Sequence, residues 1–303
     1  MRAGTLDSAV IPLRCTTSSN RNAVKPSPPP ARAPLTEPIR LGDQAFVARY
    51  DTPVDISIPP SPSGGPSAFG ARDIEVTALA SVRGGDRSNC FTVSHYAPHL
   101  HGTHIETHHH LSPEPCGTVG LLERFRLIAR LVSITPEDVG ARKLTLVGGS
   151  TDRIITRESV VAELRDDPAT PEVLVVRTPD FPDKMRRRYE GTNPPYLHHE
   201  LAEWCVERGV EHIVVDLPSV DREHGELYFH RTFWRSSRNA GGEPIAGLEA
   251  ITGPARERAT ITELAYIPPH ASDGWYLAFF VPVGFPGDAA PIRPLLVPLT
   301  PVG

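Results

Sequence analysis

The sequence predicts one mixed α/β domain, in which a largely buried sheet packs against helices. Short runs rich in Val, Leu and Ile, such as residues 173–176, are typical of strands buried on both faces. A clear helix pattern over residues 195–208 separates that run from another at residues 212–216, and no repeat is apparent. Because strand, helix and strand at this spacing imply a crossover connection, part of the sheet is expected to be parallel.

The first 44 residues differ in composition from the rest of the chain. The stretch from Pro26 to Pro30 lies among Ser, Thr, Asn and Arg residues, with too little apolar content to form a core. We therefore expect a disordered tail over residues 1–44 and a folded domain over residues 45–303. At 303 residues, the chain is long enough to bury a substantial core.

Strand patterns recur through the folded part of the chain. Residues 54–58 alternate between apolar and polar side chains and end at a Pro-Pro pair, as a first strand would. Residues 126–134 form a longer run of Leu, Ile and Val that is typical of a buried strand. Further strands are expected at residues 74–80, 173–176, 212–216, 260–266, 276–283 and 295–299, with turns at 273–274 and 284–291.

Three segments carry helix signals. Thr135, followed by Pro136 and two acidic residues, predicts the start of a short helix, and Thr156 predicts the N-cap of a helix that ends at residue 164. The strongest signal is at residues 195–208, where apolar side chains recur with helical spacing before Gly209. His198 and His199 are expected to be exposed near the start of this helix, because no other ligand-type residue converges there.

Charge and composition exclude several classes of function. The formal net charge is −5 and the sequence pI is about 6.2, so no basic surface for nucleic acid is expected. No apolar run approaches the ~20 residues that a bilayer-spanning helix needs. The four cysteines are scattered and form no C-x-x-C pair, which favours a reducing compartment, and we expect a cytoplasmic protein.

The most informative stretch is residues 95–110, which holds seven of the thirteen histidines and one carboxylate, Glu106. Neutral imidazole and carboxylate are the usual protein ligands of a borderline divalent cation such as Zn²⁺. A His-rich surface loop that binds metal adventitiously has the same composition. The stretch therefore leaves both interpretations open by itself.

The spacing of these residues favours a built site. If residues 103–110 are extended, alternate side chains share a face, because the side-chain period of a strand is two. The residues that would then point the same way are His104, Glu106, His108 and His110. His99 could reach the same ion from the preceding loop, because Gly102 lets the backbone turn tightly.

Together with residues further along the chain, this stretch resembles the cyclase-like metal-dependent hydrolases, the family that includes bacterial kynurenine formamidase and isatin hydrolase. The family motif, H-x-G-T-H-x-D-x-x-x-H, corresponds here to residues 99–110, His-Leu-His-Gly-Thr-His-Ile-Glu-Thr-His-His-His. The resemblance continues at residues 215–221, 230–234 and 261–264, and it covers roughly residues 53–299. It implies an α/β fold of the cyclase type, a single mixed sheet with helices packed around it.

The resemblance also implies roles for individual residues. His99, His104 and Glu106 would hold a first divalent metal ion, Zn or Mn. Glu106 would hold a second ion together with His230 and Glu263. His110 would be the acid/base residue of the reaction.

Two departures from the family motif concern the substrate more than the chemistry. One extra residue precedes the glycine, so His99 is the expected ligand and His101 its competitor. Glu106 stands where Asp is usual, as in a branch of the family with the pattern H-x-x-G-T-H-x-E. A longer insertion, residues 236–258, also precedes Glu263.

From the residues alone, several of the downstream positions are equally consistent with purely structural roles. His230 would more often be a core or surface histidine than a ligand. Asp216 and Asp221 fit turn residues with Asx hydrogen bonds at least as well as ligands. Phe233 and Trp234 are as consistent with a core as with the wall of an aromatic substrate site.

The function that the resemblance implies is hydrolysis of a non-peptide amide, with an arylformamide such as N-formylkynurenine, from tryptophan catabolism, as the best-known substrate. A metal-bound hydroxide would attack the carbonyl, and the histidine would serve as acid/base. The alternatives are a lactone or lactam hydrolase, a ring-forming cyclase, or a metal-binding protein without catalysis. We expect a small-molecule partner, an aromatic amide or lactone, and a homo-oligomer, with no nucleic acid or membrane partner.

Overall fold

The computed structural model describes residues 38–302, apart from 114–116, 119–121, 123, 142–143, 180–182 and 240. Its strands, in chain order, are β1 (Ile39–Leu41), β2 (Gln44–Ala48), β3 (Val54–Asp55), β4 (Glu75–Ala80), β5 (Cys90–Ser94), β6 (His104–Thr107), β7 (Arg126–Ser133), β8 (Glu137–Asp138), β9 (Arg153–Ile155), β10 (Val173–Arg177), β11 (Tyr196–Leu197), β12 (His212–Val215), β13 (Thr260–Glu263), β14 (Gly274–Phe279), β15 (Ala289–Pro291) and β16 (Leu295–Pro301). Its helices are α1 (Arg157–Glu163), α2 (His199–Arg208) and α3 (Tyr228–Trp234).

Within the described residues, eleven strands form one mixed sheet. Its order is β1-β2-β16-β14-β7-β10-β12-β13-β6-β15, with β3 also paired to β16. The central strands β7, β10, β12 and β13 run parallel, and the strands on either side of them, β14 and β6, are antiparallel to their neighbours. The parallel centre confirms the crossover that the sequence predicts, and the mixed α/β class is confirmed.

The two faces of this sheet pack in different ways. Along β10, Leu174 and Val176 belong to a core cluster that contains buried residues of all three helices. Val173 and Val175 point to the other face, where the cluster consists of strand and loop residues such as Ile56. Because β10 is covered on both faces, it reads in the sequence as an uninterrupted apolar run.

The predicted helix signals at Thr156 and Gly209 are confirmed. The Thr156 hydroxyl accepts a hydrogen bond from the backbone N–H of Ser159 at 3.2 Å and caps α1. Gly209 ends α2 with a left-handed conformation, φ +77°. Among the described residues, no helix is long and apolar enough to cross a bilayer.

The prediction of a helix that starts at Thr135 is wrong, although a short 3-10 turn, Val139–Ala141, follows a few residues later. Residues 137–138 form β8, which pairs with β9, and the backbone N–H of Val139 then bonds to the carbonyl of Asp152 at 2.9 Å. This pairing satisfies backbone groups that a one-turn helix would leave without partners at both ends. The turn expected at residues 284–291 likewise ends in a strand, β15, which joins the edge of the large sheet.

The expected tail, residues 1–44, lies mostly outside the described residues, but its last part does not. Residues 39–41 are β1, which pairs with β2, and Leu41 is buried in a core cluster with Phe46. The folded domain therefore begins before residue 45. The sequence did not reveal this strand because Ile39 and Leu41 are only two apolar residues in a short alternating segment.

Candidate metal centre

The predicted metal motif folds as a short strand between two 3-10 turns. The strand is β6, and the turns are Pro98–Leu100 and His108–Leu111. β6 pairs with β13 on one side and with β15 on the other, so it lies inside the sheet. Side chains alternate along it: Ile105 packs in the core, and His104 and Glu106, both fully buried, point to the opposite face.

The chain leaves the extended conformation directly after Thr107. The hydroxyl of Thr107 accepts a hydrogen bond from the backbone N–H of His109 at 3.2 Å, which begins the second turn. His108 therefore does not share a face with Glu106, as it would if residues 103–110 were all extended. The turn instead brings His110 back towards the strand, with its Nδ1 3.9 Å from Glu106 Oε2.

Glu263 reaches the cluster through the register of the sheet. It lies opposite His104 in the antiparallel pair of β6 and β13, and its Oε2 is 3.5 Å from His104 Nε2. Its Oε1 accepts a hydrogen bond from the backbone N–H of Val220 at 2.7 Å. The strand pairing thus brings together two residues that lie far apart in the sequence.

His230 enters from α3 and is oriented by Asp221. The Nε2 atom of His230 is 2.8 Å from Glu106 Oε1, and its Nδ1 is 2.6 Å from Asp221 Oδ2. The Asp221 carboxylate also accepts the backbone N–H groups of Phe229 and His230, each at 2.9 Å. One buried carboxylate therefore fixes both the beginning of α3 and the direction of the imidazole ring.

His99, and not His101, joins the cluster. His99 Nδ1 is 3.2 Å from Glu106 Oε2. The ring nitrogens of His101 instead face backbone groups, with Nε2 2.8 Å from the carbonyl oxygen of Arg72 and Nδ1 beside the backbone of Ala97. His101 is thus a buried structural histidine in the turn before β6.

Gly102 and Thr103 hold the loop that precedes β6 against its neighbours. Gly102 has φ +93°, and a Cβ atom there would lie 2.5 Å from the carbonyl oxygen of Ile58. The Thr103 hydroxyl accepts from the N–H of Ile58 at 2.7 Å and donates to the carbonyl of Leu264 at 2.6 Å. Only glycine allows this close approach, which accounts for the Gly-Thr pair of the motif.

Asp288 is a member of the cluster that the sequence did not indicate. Its Oδ2 lies 2.7 Å from His110 Nδ1 and 2.8 Å from His99 Nε2. A single Asp in a Gly- and Pro-rich segment carries no spacing signal. Only the pairing of β15 with β6, which sets Ala289 opposite Glu106, brings this side chain to the site.

The cluster has a buried end and an open end. The side chains of the buried end are at most 4% exposed: His104, Glu106, His230 and Glu263. The side chains of the open end are 25–28% exposed: His99, His110 and Asp288. A small molecule can therefore approach the cluster from the side of His110.

Opposite charges stabilise one another in the cluster. Burial alone would raise the pKa of Glu106, but the charges of His230 and His110 and the hydrogen bond from His230 hold it well below its ordinary value. Burial opposes protonation of His230 as well, yet the Glu106 charge and the Asp221 hydrogen bond raise its pKa. For His99, the hydrogen bond to Asp288 and the charges of Glu106 and Asp288 outweigh burial and raise the pKa to about 10. The ionised carboxylates thus require nearby positive charge.

The residues present fit a divalent metal ion. His104 Nε2 and Glu106 Oε2 are buried and have no hydrogen-bond partner, although such atoms are costly to leave unpaired. A cation would satisfy both at once. Imidazole nitrogen and carboxylate oxygen together suit Zn or Mn. In the described part of the chain, three sets of ligand atoms converge within 4.8 Å: His99, His104 and Glu106; Glu106, His110 and His230; and His99, His110 and Asp288.

For the first ion, the converging residues are those expected from the family resemblance, but for the second ion one residue differs. The set of His99, His104 and Glu106 is the one that the family resemblance implies. Beside Glu106 and His230, however, the converging atom comes from His110 rather than from Glu263. Glu263 stays close, with its Oε1 3.6 Å from His230 Nε2, but a backbone N–H occupies that oxygen.

The expectation that His198 and His199 are exposed is wrong. They are 1% and 7% exposed, and His198 Nε2 lies 2.9 Å from the carbonyl oxygen of Thr145. This contact comes from a distant loop, which the sequence pattern of the helix does not reveal. Asp216 also lies apart from the cluster, because it pairs with Lys184 and Thr178.

Phe233 and Trp234 are core residues of α3. Neither side chain is exposed, and the Trp234 indole N–H donates to the carbonyl of Ala259 at 2.9 Å. Trp234 packs behind the site, with its ring centroid 5.4 Å from that of His230. These two aromatics therefore support the cluster from the interior.

The chain matches the model of the Cyclase family over residues 35–222, more than half of its length. No curated protein sequence matches it. Several solved structures share its fold. A predicted metal-dependent hydrolase from Bacillus stearothermophilus is 15% identical, with a TM-score of 0.53, covering 81% of this chain and 98% of that one. An isatin hydrolase bound to the product analogue thioisatinate is 14% identical, with a TM-score of 0.57, covering 82% and 92%. Isatin hydrolase A from Labrenzia aggregata, bound to benzyl benzoate, is 13% identical, with a TM-score of 0.55, covering 81% and 93%.

Proposed function

The chain belongs to the cyclase family, and we propose that it is a metal-dependent hydrolase that cleaves a non-peptide amide bond of a small molecule. The observation that carries this proposal is the pair of buried, unpartnered ligand atoms, His104 Nε2 and Glu106 Oε2, at the base of a half-open cluster. Buried polar atoms are costly to leave unsatisfied, and a cation bound between these two would satisfy both.

His99, His104 and Glu106 would hold the first ion, Zn or Mn. Glu106 and His230 would contribute to a second, with Glu263 or His110 as the further ligand. Glu106 is common to both groups because its two oxygens face different histidines, Oε2 towards His99 and Oε1 towards His230. Asp221 would keep His230 turned towards Glu106 throughout.

An ion bound there would supply a Lewis acid that polarises the substrate carbonyl and lowers the pKa of water. His110 lies at the open end, where it can accept a proton from the attacking water and return it to the leaving nitrogen. The buried end, made by His104, Glu106 and Glu263, excludes bulk water and keeps the charges of the site strong.

The substrate we favour is an arylformamide, such as N-formylkynurenine, which yields a free aromatic amine and formate. A lactam is the second candidate, because two of the similar structures are isatin hydrolases and isatin carries its amide inside a ring. The same groups would serve lactone hydrolysis or ring formation. We further propose that the protein acts in the cytoplasm as a homo-oligomer.

A metal-binding protein without catalysis is the alternative from a different class. A storage or structural site gains nothing from a partly exposed imidazole at its rim, and His110 occupies that position. This favours a catalytic centre over a storage site.

Turnover of a substrate panel tests the proposal. Purified protein, loaded with Zn or Mn, would be assayed for formate release from N-formylkynurenine, ring opening of isatin and opening of a simple aromatic lactone. Hydrolysis of at least one amide by wild-type protein, abolished in Glu106→Ala and retained in the surface variant Glu75→Gln, is the expected result. No turnover of any amide by metal-loaded protein would overturn it.

A further inference from the structure

The Asp288 carboxylate lies between two imidazoles at the open end of the cluster. Its Oδ2 is 2.8 Å from His99 Nε2 and 2.7 Å from His110 Nδ1. The backbone around it is fixed independently of the side chain, since the Asp288 carbonyl accepts the N–H of Thr107 at 3.1 Å. The position of this carboxylate is therefore set by the pairing of β15 with β6.

The distances around Asp288 match hydrogen bonds to its two histidines. Two atoms that each lie ~2.0–2.2 Å from a tetrahedral ion are about 3.3–3.6 Å apart. The separation of 3.2 Å between His99 Nδ1 and Glu106 Oε2, the two atoms proposed for the first ion, is close to that range. The two Asp288 separations are shorter and match ordinary N–H···O hydrogen bonds. Asp288 thus faces its histidines as a hydrogen-bond acceptor.

This arrangement resolves a double assignment of His110. That residue belongs to a converging ligand set with Glu106 and His230, and it is also the proposed acid/base. A proton on Nδ1, donated to Asp288, removes that nitrogen from metal binding. Only Nε2 of His110 is then available for proton transfer.

We propose that Asp288 is a positioning residue that fixes the tautomers of two histidines, so that His99 presents Nδ1 to the metal ion and His110 presents Nε2 to the substrate. The inference rests on the proposed function and adds a residue to it. A carboxylate that accepts the distal N–H of a metal ligand orients the ring and increases its basicity. Here one carboxylate does so for a ligand and for an acid/base residue together.

An ionised carboxylate can only accept hydrogen bonds, so both ring nitrogens that face Asp288 Oδ2 must donate to it. Replacement by a neutral side chain removes this control without altering the backbone pairing of β15.

Ring nitrogen NMR of ¹⁵N-histidine-labelled protein tests the inference directly. In zinc-loaded wild type we expect His99 bound through Nδ1 with a proton on Nε2, and His110 protonated on Nδ1 with Nε2 free. In Asp288→Asn and Asp288→Ala, the other His110 tautomer becomes populated. Zinc affinity falls roughly 10–100-fold, the range for loss of a partner behind a metal ligand. Asp51→Asn, which removes an exposed carboxylate far from the site in sequence, serves as the matched control.

Two results would overturn the inference: a wild-type spectrum with His110 protonated on Nε2 or bound to zinc through Nδ1, or variant spectra identical to wild type. The wild-type spectrum decides even if a variant folds poorly. Failure of the proposed function is distinguishable, because protein without zinc binding or hydrolysis still reports the His110 tautomer in its metal-free spectrum.

Discussion

The imidazole of His230 and the carboxylate of Glu106 meet at 2.8 Å in the buried interior, although 124 positions separate them in the chain. The contact joins α3 to β6 and places a histidine against the side chain on which the proposed metal sites converge. Its geometry depends on Asp221, which holds the far side of the same ring at 2.6 Å. The predictions below follow from these and the neighbouring contacts.

Replacing Asp221 with Ala is expected to lower both stability and metal affinity. Two backbone N–H groups, those of Phe229 and His230, lose their buried acceptor, which costs roughly 2–4 kcal/mol of the free energy of unfolding. Metal affinity should fall about 10–100-fold, because the ring of His230 is no longer oriented. Urea denaturation and metal titration measure the two effects. Asp55→Ala, which loses a hydrogen bond to the exposed Ser57 backbone, should keep wild-type metal affinity.

His110→Ala should retain the metal and lose turnover by roughly 10²–10⁴-fold, the range for removal of a positioned acid or base. The matched control is His109→Ala, since His109 lies in the same turn but in none of the three converging ligand sets of the described residues. Metal content and kcat, measured on the same preparations, check this expectation. Loss of metal in His110→Ala would assign His110 as a ligand instead.

Gly102→Ala is expected to destabilise the loop before β6. The substitution places a Cβ atom 2.5 Å from the carbonyl of Ile58 in a left-handed backbone conformation, so both strain and a clash contribute, at about 1–3 kcal/mol or more. Gly209→Ala separates the two effects, because Gly209 is also left-handed but has nothing within 4 Å of the added atom. Thermal unfolding of both variants should show the larger loss for Gly102. Equal losses would mean that close packing at Gly102 contributes nothing.

Metal-free protein should lose stability as the pH rises above neutral. In the folded chain the pKa of His99 is raised from 6.5 to about 10, so its contribution is complete below ~pH 6.5 and is lost as the pH rises towards 10. The free energy of unfolding of chelator-treated wild type should therefore fall more steeply over this window than that of His99→Asn. Urea denaturation at several pH values gives both slopes. Parallel slopes would show that His99 is not held as an imidazolium.

Much of the fold could be predicted from the sequence because its signals are local. The uninterrupted apolar run at residues 173–176, the Thr156 cap and Gly209 each act through neighbouring residues, and β10, the start of α1 and the end of α2 are found where the pattern places them. The start of α2 was predicted too early, because residues 196–197 form β11 instead. The predicted helix at Thr135 failed because its backbone partners come from β9, which a local pattern cannot include. α3 went unpredicted for a similar reason, since its start is fixed by Asp221 rather than by an adjacent cap residue.

The candidate site likewise combines residues that the sequence predicted with residues that only tertiary contacts bring together. Alternation on β6 was enough to group His104 with Glu106, and the family motif added His99, His230 and Glu263; their roles stay predictions. His110 lies near Glu106 because the chain bends at Thr107, and not because the two residues share a face of the strand. The sequence did not indicate Asp288, because its position depends on the pairing of a three-residue strand, β15, at the edge of the sheet. Tertiary contacts, not residue types, completed the open end of the cluster.

Calorimetric titration of metal-free wild type and Glu106→Ala with Zn²⁺ tests the central claim most directly. We expect one or two equivalents to bind the wild type tightly, and binding to be lost in Glu106→Ala, because both proposed groups use this carboxylate and no neighbour replaces its charge. Hydrolysis of the amide substrate should return with the same stoichiometry in wild type only. Glu75→Gln, an exposed carboxylate variant, should titrate like wild type. Absence of stoichiometric binding in wild type, or undiminished binding in Glu106→Ala, would contradict a metal centre built on Glu106.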